Sequence, residues 1–179
     1  MKNNQNQNFI GKCWCDEAAY LDFFDVNVRE FWKNEILNST FFFDSKNIHI
    51  WNDMNEPSVF KEIDITMPKN AKIKYYNDTF EFRDVHNLYG YFMHKSSFEA
   101  LKKKYVNKRP FVLTRSYYIG SHKYGAAWTG DNIASFQDLE LSIPMILNNA
   151  LCGYSFIGAD VGGFAKDTDH MLMVRWYQV

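Results

Sequence analysis

Two aspartates stand in short segments whose composition suits acid and base chemistry. Asp53 lies in WNDMNEPS, residues 51–58, together with Glu56, and Asp131 lies in GAAWTGDN, residues 125–132. Cleaving a glycosidic bond with retention of configuration needs one ionised carboxylate to attack the anomeric carbon. It also needs one protonated carboxyl to donate to the leaving oxygen, about 5 to 5.5 Å from the first. The two aspartates are the candidates for this pair.

The two roles require different surroundings. A nucleophile stays ionised beside a cation, and an acid stays protonated where apolar groups exclude water. Arg115 is the candidate cation beside Asp53, and Trp128 is the candidate shield for Asp131. Structural interpretations stay open, because an Asp after a strand commonly caps a turn or a helix, and an Arg commonly forms an ion pair. Glu56 is expected to support a neighbouring group rather than to react directly.

The elements that would position these residues alternate between strand and helix. Apolar runs bounded by polar residues or Gly predict buried strands at 48–51, 110–113, 126–128 and 154–157. Helical spacing predicts helices at 26–37, 86–104, 136–151 and 171–179. Such alternation indicates a parallel sheet covered by helices, either doubly wound or a (β/α)8 barrel.

The positions of the polar residues favour the barrel. Asp53, Arg115, Asp131 and Asp160 each follow the C-terminal end of a different predicted strand, where barrels gather their catalytic groups. A complete barrel needs about 250 residues, so this chain of 179 residues is expected to form a partial (β/α)8 TIM barrel, about half of one.

The domain organisation follows from this fold. Residues 1–10 are predicted to be a disordered tail, and residues 11–179 are predicted to be the partial barrel. Residues 61–82 form a connection too long for a simple loop, and such segments often form the rim of a site.

Composition excludes several classes of function. The net charge is -1, and no dense basic stripe is present, so nucleic acid is not an expected partner. No apolar run is long enough to span a membrane. The sequence lacks a Gly-rich phosphate loop, a GxSxG elbow, an HExxH helix and zinc-spaced Cys and His residues, and we expect no metal or cofactor. Aromatic residues make up 18%, which favours a ligand that contains rings.

The sequence resembles glycoside hydrolase family 31, whose nucleophile lies in a WxDMNEP signature at the end of a barrel strand. WNDMNEPSVF, residues 51–60, carries this signature. The resemblance continues in order through RDVHNLYG (83–90), RPFVLTRS (109–116), GAAWTGDN (125–132), GADVGGF (158–164) and VRWYQ (174–178). It covers nearly the whole chain from Gly11.

The resemblance implies a role for each site residue. Asp53 would be the nucleophile, with Glu56 as its companion in the signature, and Asp131 would be the acid/base. Arg115 would bind sugar hydroxyls. Asp160 would contact the residues that bind the substrate without contacting the substrate itself. The residues that would line the glucose subsite are Trp14, Trp51, Met54, Trp128 and Phe164. In the opening block, Cys15 and Asp16 replace a Pro-Gly pair that is usual after the Trp.

The implied function is a retaining exo-α-glucosidase that releases terminal α-linked glucose from oligosaccharides through a covalent glucosyl-aspartate. The signature forms look most similar to those of family members that trim α-1,3-linked glucose from N-glycans in the endoplasmic reticulum. That likeness implies location in the lumen and a noncatalytic β subunit as a possible partner. Acceptor sequons at Asn38 and Asn77 fit this location.

Alternatives remain open from the sequence. A lysosomal-type or starch-type α-glucosidase and an α-xylosidase share the family pattern. A noncatalytic glycan-binding fragment and a purely structural domain belong to other classes. The structural alternative predicts that the carboxylates at the strand ends scatter. The family's binding aspartate and late histidine are expected outside this segment.

Overall fold

A computed structural model describes residues 1–39 and 47–179. Thr40, the last residue of the sequon at Asn38, lies outside the described residues. The strands are β1 (Ile10–Cys13), β2 (Asp16–Ala19), β3 (Ile50–Asn52), β4 (Lys72–Tyr75), β5 (Asp78–Glu81), β6 (Val112–Thr114), β7 (Ala126–Trp128) and β8 (Ile157–Gly158). The helices are α1 (Val26–Asn38), α2 (Phe82–Val85), α3 (Tyr89–Lys104), α4 (Phe136–Leu151) and α5 (His170–Trp176).

The central sheet consists of β3, β6, β7 and β8, which lie side by side in this order and are all parallel. The connection from β3 to β6 contains α3, and the connection from β7 to β8 contains α4. Parallel neighbours joined by helical crossovers are the repeating unit of a (β/α)8 barrel. The predicted parallel sheet is therefore confirmed, with its carboxyl ends at one edge.

The helices α1 and α3 cover one part of this sheet. Ile36 of α1 packs with Leu101 of α3 and Val112 of β6 in one buried cluster. Two linked hydrogen bonds lie beside the cluster. Trp32 Nε1 donates to Ser97 Oγ at 3.0 Å, and Ser97 Oγ donates to Asn52 Oδ1 on β3 at 3.1 Å. The packing fixes the position of β3 relative to β6 along the strand direction. It therefore also fixes the relative positions of the residues that follow each strand.

Helix boundaries agree with the sequence in most places. Ser135 caps the start of α4, where its side chain accepts the backbone N–H of Asp138 at 3.1 Å. The helix predicted at 86–104 begins three residues later, at Tyr89, because His86–Leu88 forms a 3-10 turn. No helix within residues 1–39 and 47–179 has the length and apolar character that crossing a bilayer requires.

The prediction of a disordered tail at residues 1–10 is wrong. Lys2 pairs with Lys72 on the edge of β4 through backbone hydrogen bonds in both directions, at 3.1 and 2.7 Å. The side chain of Asn3 accepts the backbone N–H groups of Gln5 and Gln7 at 3.0 and 2.9 Å. Asn-rich composition here encodes a turn stabilised by side chains, not the absence of structure.

The connection at 61–82 also contains more regular structure than expected. The strands β4 and β5 form an antiparallel hairpin in it. Ile73 and Phe82 are each only 1% exposed, and they pack in one cluster with Met67 and Phe23. The segment is held down by these apolar anchors, while Asn77 of the second sequon lies exposed at the hairpin turn.

Candidate active site

A cavity of about 820 Å³ opens at the carboxyl ends of the parallel strands. Asp53, Arg115, Asp131 and Asp160 all line it, and they follow β3, β6, β7 and β8 respectively. Carboxyl ends of parallel strands meet at one edge, which explains how residues distant in the sequence share one cavity. The convergence contradicts the purely structural alternative, which predicts scattered carboxylates.

Asp53 is held in place by a cation and by its own backbone. Arg115 Nη1 lies 3.2 Å from Asp53 Oδ1, and the backbone N–H of Met54 donates to the same oxygen at 2.9 Å. Met54 has a left-handed φ of 58°, which turns the chain sharply after the strand. The Asp53 side chain remains 30% exposed. A carboxylate that is paired yet accessible suits an anionic nucleophile.

Glu56 lies on the other side of Arg115 and does not line the main cavity. Arg115 donates from Nε to Glu56 Oε1 at 2.9 Å and from Nη2 to Oε2 at 3.1 Å. Ser58 Oγ also donates to Oε2, at 2.6 Å. Burial raises the pKa of Glu56, but the hydrogen bonds from Arg115 and Ser58 outweigh it and bring the pKa below its ordinary value. The geometry places Glu56 where it orients Arg115.

Replacing Arg115 with Met should lower both activity and stability. Loss of the cation beside Asp53 is expected to reduce kcat/KM by roughly 10² to 10³-fold. The half-buried Glu56 would lose its charged partner, at a cost of about 1 to 3 kcal/mol. Arg109→Met is the matched control, because Arg109 is exposed and donates only to a backbone carbonyl.

The same variant should change the pH dependence of stability. In the native protein the lowered pKa of Glu56 contributes stability that is present above its ordinary value of 4.5 and is lost as the pH falls through the lowered pKa. Without Arg115, burial should raise the pKa of Glu56 above its ordinary value of 4.5. The stability of the variant should therefore increase as the pH falls through this raised pKa. Melting temperatures measured between mildly acidic and neutral pH test this, and identical pH profiles for both proteins would contradict it.

Asn55 joins the ends of β3 and β6. Its side chain is 1% exposed, donates to Thr114 Oγ1 at 2.8 Å and accepts the backbone N–H of Ser116 at 2.9 Å. These bonds lie on either side of Arg115 in the sequence. The side chain therefore fixes the segment that carries Arg115 relative to the segment that carries Asp53.

Removing this clamp with Asn55→Ala should loosen the end of β6. The free energy of local opening at the Ser116 amide is expected to fall by about 1 to 3 kcal/mol, because a buried donor and acceptor lose their partner. Hydrogen exchange of the peptide that contains Ser116 measures this change. Asn3→Ala is the control, since the Asn3 side chain also accepts two backbone N–H groups but lies outside the cavity and away from Ser116. Unchanged exchange at Ser116 in the first variant would show that the clamp is unimportant.

The expected shielding of Asp131 by Trp128 is wrong in this structure. Trp128 is only 7% exposed and packs its ring edge-on against Trp51, with centroids 5.6 Å apart, but Asp131 itself is exposed. The more desolvated carboxyl is Asp160, whose pKa is raised by burial first and by the negative charge of Asp131 second. The loop after β7 carries Asp131 away from the ring that precedes it by three residues.

Exposed aromatic rings form much of the rim. Trp14 is 78% exposed at the turn between β1 and β2, and it packs edge-on against Phe60 with centroids 4.7 Å apart. Trp51 and Phe164 are also exposed. Aromatic side chains are usually buried, so solvent-exposed rings around polar groups favour a ligand with flat faces. Sequence reasoning missed these further lining residues: Phe111, Leu113, Phe156 and Ile157.

The structure explains how the unusual residues after Trp14 are accommodated. Asp16 adopts a left-handed φ of 64°, the conformation that Gly supplies most readily and that Asp tolerates better than most residues. Lys12 Nζ lies 2.6 Å from Asp16 Oδ1. The turn therefore still presents Trp14 to the cavity. Over residues 1–39 and 47–179, no group of three or more His, Cys, Asp or Glu side chains is arranged to hold a metal ion.

Comparison with known proteins identifies the family of this chain. Residues 1–179 match the model of the glycosyl hydrolases family 31 TIM-barrel domain. The chain belongs to glycoside hydrolase family 31. It is 45% identical over 180 residues to neutral alpha-glucosidase AB of Dictyostelium discoideum, covering 99% of this chain and 19% of that protein.

Solved structures of family members also match. The glucosidase II alpha subunit in its Glc1Man2-bound form superposes with a TM-score of 0.91 and 42% identity, over 99% of this chain and 19% of that one. The ER glucosidase II heterodimeric complex, of the catalytic subunit with the binding domain of the regulatory subunit, matches with the same TM-score, identity and coverage. This chain thus spans about a fifth of the length of these relatives. The predicted family and partial TIM barrel are confirmed.

Proposed function

We propose that this chain is the catalytic segment of a retaining exo-α-glucosidase, with Asp53 as nucleophile and Asp131 as acid/base. The observation that carries the proposal is the shared cavity, where an arginine-paired Asp53 follows β3 and an exposed Asp131 follows β7, the two strands that flank β6. Asp53 lies in an ion pair with Arg115, whereas Asp131 is exposed and open to the leaving group of a substrate. That inequality is what retention requires.

In the first step, an Asp53 carboxylate oxygen attacks the anomeric carbon from the β face while Asp131 gives its proton to the departing oxygen. The bond to the leaving group breaks, and a β-linked glucosyl ester of Asp53 forms. In the second step, Asp131 removes a proton from water, which attacks the anomeric carbon from the α face. Asp53 then leaves as a carboxylate, and the released sugar is α-glucose.

The surrounding groups have supporting roles. Arg115 forms an ion pair with Asp53, and its remaining N–H groups suit the hydroxyl groups of the sugar. Asp160 lies near Asp131, and burial together with the negative charge of Asp131 raises the pKa of the Asp160 carboxyl. The subsite lining proposed from the family is formed by Trp14, Trp51, Met54, Trp128 and Phe164.

The proposed natural substrate is an N-glycan with terminal α-1,3-linked glucose, and the proposed compartment is the lumen of the endoplasmic reticulum. Support comes from the relatives whose structures contain Glc1Man2 or include a regulatory subunit. A noncatalytic β subunit is the corresponding partner. Other family 31 activities remain the competing proposal, and a panel of α-glucosides and an α-xyloside would separate them.

Trapping the covalent intermediate tests the proposed reaction. A 5-fluoro-α-glucosyl fluoride should form a glucosyl ester that turns over slowly, because the electronegative fluorine destabilises the oxocarbenium-like transition state. Peptide mapping of the full-length protein by mass spectrometry should locate the label on Asp53. Label on another carboxylate, or inhibition without any label, would overturn the assignment. Unlabelled protein that binds an α-glucoside without hydrolysing it would favour the noncatalytic alternative.

A further inference from the structure

We propose that Asn132 is a positioning residue that holds Asp131 in place by joining the loop after β7 to the loop after β8. The inference rests on the proposed function, since it assigns a partner to the acid/base of that reaction. The Asp131 carboxylate makes no hydrogen bond to another side chain or backbone group within residues 1–39 and 47–179. Its position must therefore come from the backbone that carries it.

Asn132 ties that backbone to the neighbouring loop with both its side chain and its main chain. Its Nδ2 donates to the carbonyl of Asp160 at 3.1 Å, and its Oδ1 accepts the N–H of Phe164 at 3.1 Å. Its own carbonyl accepts the N–H groups of Phe164 and Ala165 at 2.9 and 3.0 Å. One residue thus links Asp131 to the segment that contributes both Asp160 and Phe164 to the cavity.

The two loops approach each other too closely for an ordinary side chain. Gly163 has a left-handed φ of 97°, and a Cβ atom there would lie 2.4 Å from Ala134 N and 2.5 Å from Ala134 Cα. Ile133 and Ala165 form a parallel bridge beside this point. The close contact makes the two loops one unit, and glycine is required where they touch.

The start of α4 holds the same loop from its other end. The Asp138 carboxylate accepts the backbone N–H of Ile133, and Ser135 Oγ accepts the N–H of Asp138. Asn132 is bound to the loop after β8, and Ile133 is bound to the start of α4. These contacts constrain the backbone of Asp131 although its side chain is exposed. Removing the Asn132 side chain frees the end nearer to Asp131.

This arrangement predicts a selective effect on proton transfer. A general acid must lie within hydrogen-bond reach of the leaving oxygen. Misalignment of the acid lowers the rate most for substrates whose leaving group must be protonated. An α-glucoside with a poor leaving group needs the proton, whereas fluoride departs with little help. Displacing Asp131 should therefore slow the first substrate and spare α-glucosyl fluoride. A general loss of folding would slow both.

The test compares kcat/KM for these two substrates in the full-length protein. Asn132→Ala should lower kcat/KM for methyl α-glucoside by on the order of 10²-fold, the cost of a misplacement of about 1 Å, and should change it for α-glucosyl fluoride by less than about 3-fold. Gly163→Ala should give the same pattern by pushing the loops apart. Asn149→Ala, which removes an amide with two hydrogen bonds elsewhere, should leave both values unchanged.

Asp131→Ala is measured first, so that two kinds of failure can be separated. If this variant loses activity equally on both substrates, or on neither, Asp131 is not the acid and the proposed function fails. If Asp131→Ala shows the selective loss but Asn132→Ala loses both activities equally or loses neither, the positioning role of Asn132 is overturned and the proposed function stands. Selective loss in both variants supports the inference.

Discussion

Asp53→Ala should reduce kcat on an aryl α-glucoside by between roughly 10⁴ and 10⁶-fold in the full-length protein, as removal of an enzymatic nucleophile does. The physical reason is that no other described carboxylate is paired with Arg115 inside the cavity. Folding should be retained, because Asp53 is partly exposed and Arg115 keeps its hydrogen bonds with Glu56. Kinetics and a melting curve measure the two effects.

Azide should then report which face Asp53 occupied. In Asp53→Ala the anion can enter the vacated space and displace the aryl group from the β face, giving β-glucosyl azide. The product is identified by the coupling of its anomeric proton. Asp167→Ala is the control, since Asp167 is exposed and is not among the residues that line the cavity. Activity that survives in Asp53→Ala without azide would remove Asp53 from the reaction.

Asp131→Ala should cost roughly 10² to 10⁴-fold in kcat/KM on a substrate that requires protonation, the range for loss of general acid catalysis. The exposed position of Asp131 makes a large structural effect unexpected. Activated aryl glucosides should still form the glucosyl ester, and its hydrolysis should become limiting because the general base is missing.

Azide has the opposite stereochemical outcome in this variant. It attacks the glucosyl ester from the α face, where Asp131 would have activated water, so the expected product is α-glucosyl azide. The two variants thus form a pair in which the same anion gives opposite anomers. If Asp131→Ala gave β-glucosyl azide, or no azide product at all, the acid/base role would be contradicted.

The positions of the candidate site residues were predictable from the sequence because they depend on simple features. Apolar runs locate the strands within a few residues, and parallel strands bring their carboxyl ends together whatever lies between them. Asp53 and Arg115 directly follow β3 and β6, so their pairing needed little more than strand order. The signature around Asp53 added the family.

The surroundings of Asp131 were less predictable. It lies in a loop, and the path of a loop depends on contacts with distant segments rather than on local periodicity. Trp128, three residues earlier, points into packing with Trp51 and gives Asp131 no cover. The clamps formed by Asn55 and Asn132 join segments that are far apart in the chain, and a single Asn in a motif carries no sign of which backbone groups it will meet.

Composition misled at the start of the chain. Polar, Asn-rich segments are often disordered, but Asn side chains also satisfy backbone groups in turns. Lys2 completes the edge of β4, a strand that lay within a segment predicted to be irregular. The sequence did not predict the hairpin of β4 and β5, so it also did not predict that Lys2 pairs with its edge.

The central claim is retention through Asp53, and the anomer of the first product tests it most directly. Proton NMR would follow an aryl α-glucoside incubated with the full-length protein, recorded before the released sugar mutarotates. The account predicts that α-glucose appears first and that β-glucose accumulates only as the anomers equilibrate. If β-glucose appears first, the reaction inverts, and no glucosyl ester of Asp53 can lie on its path.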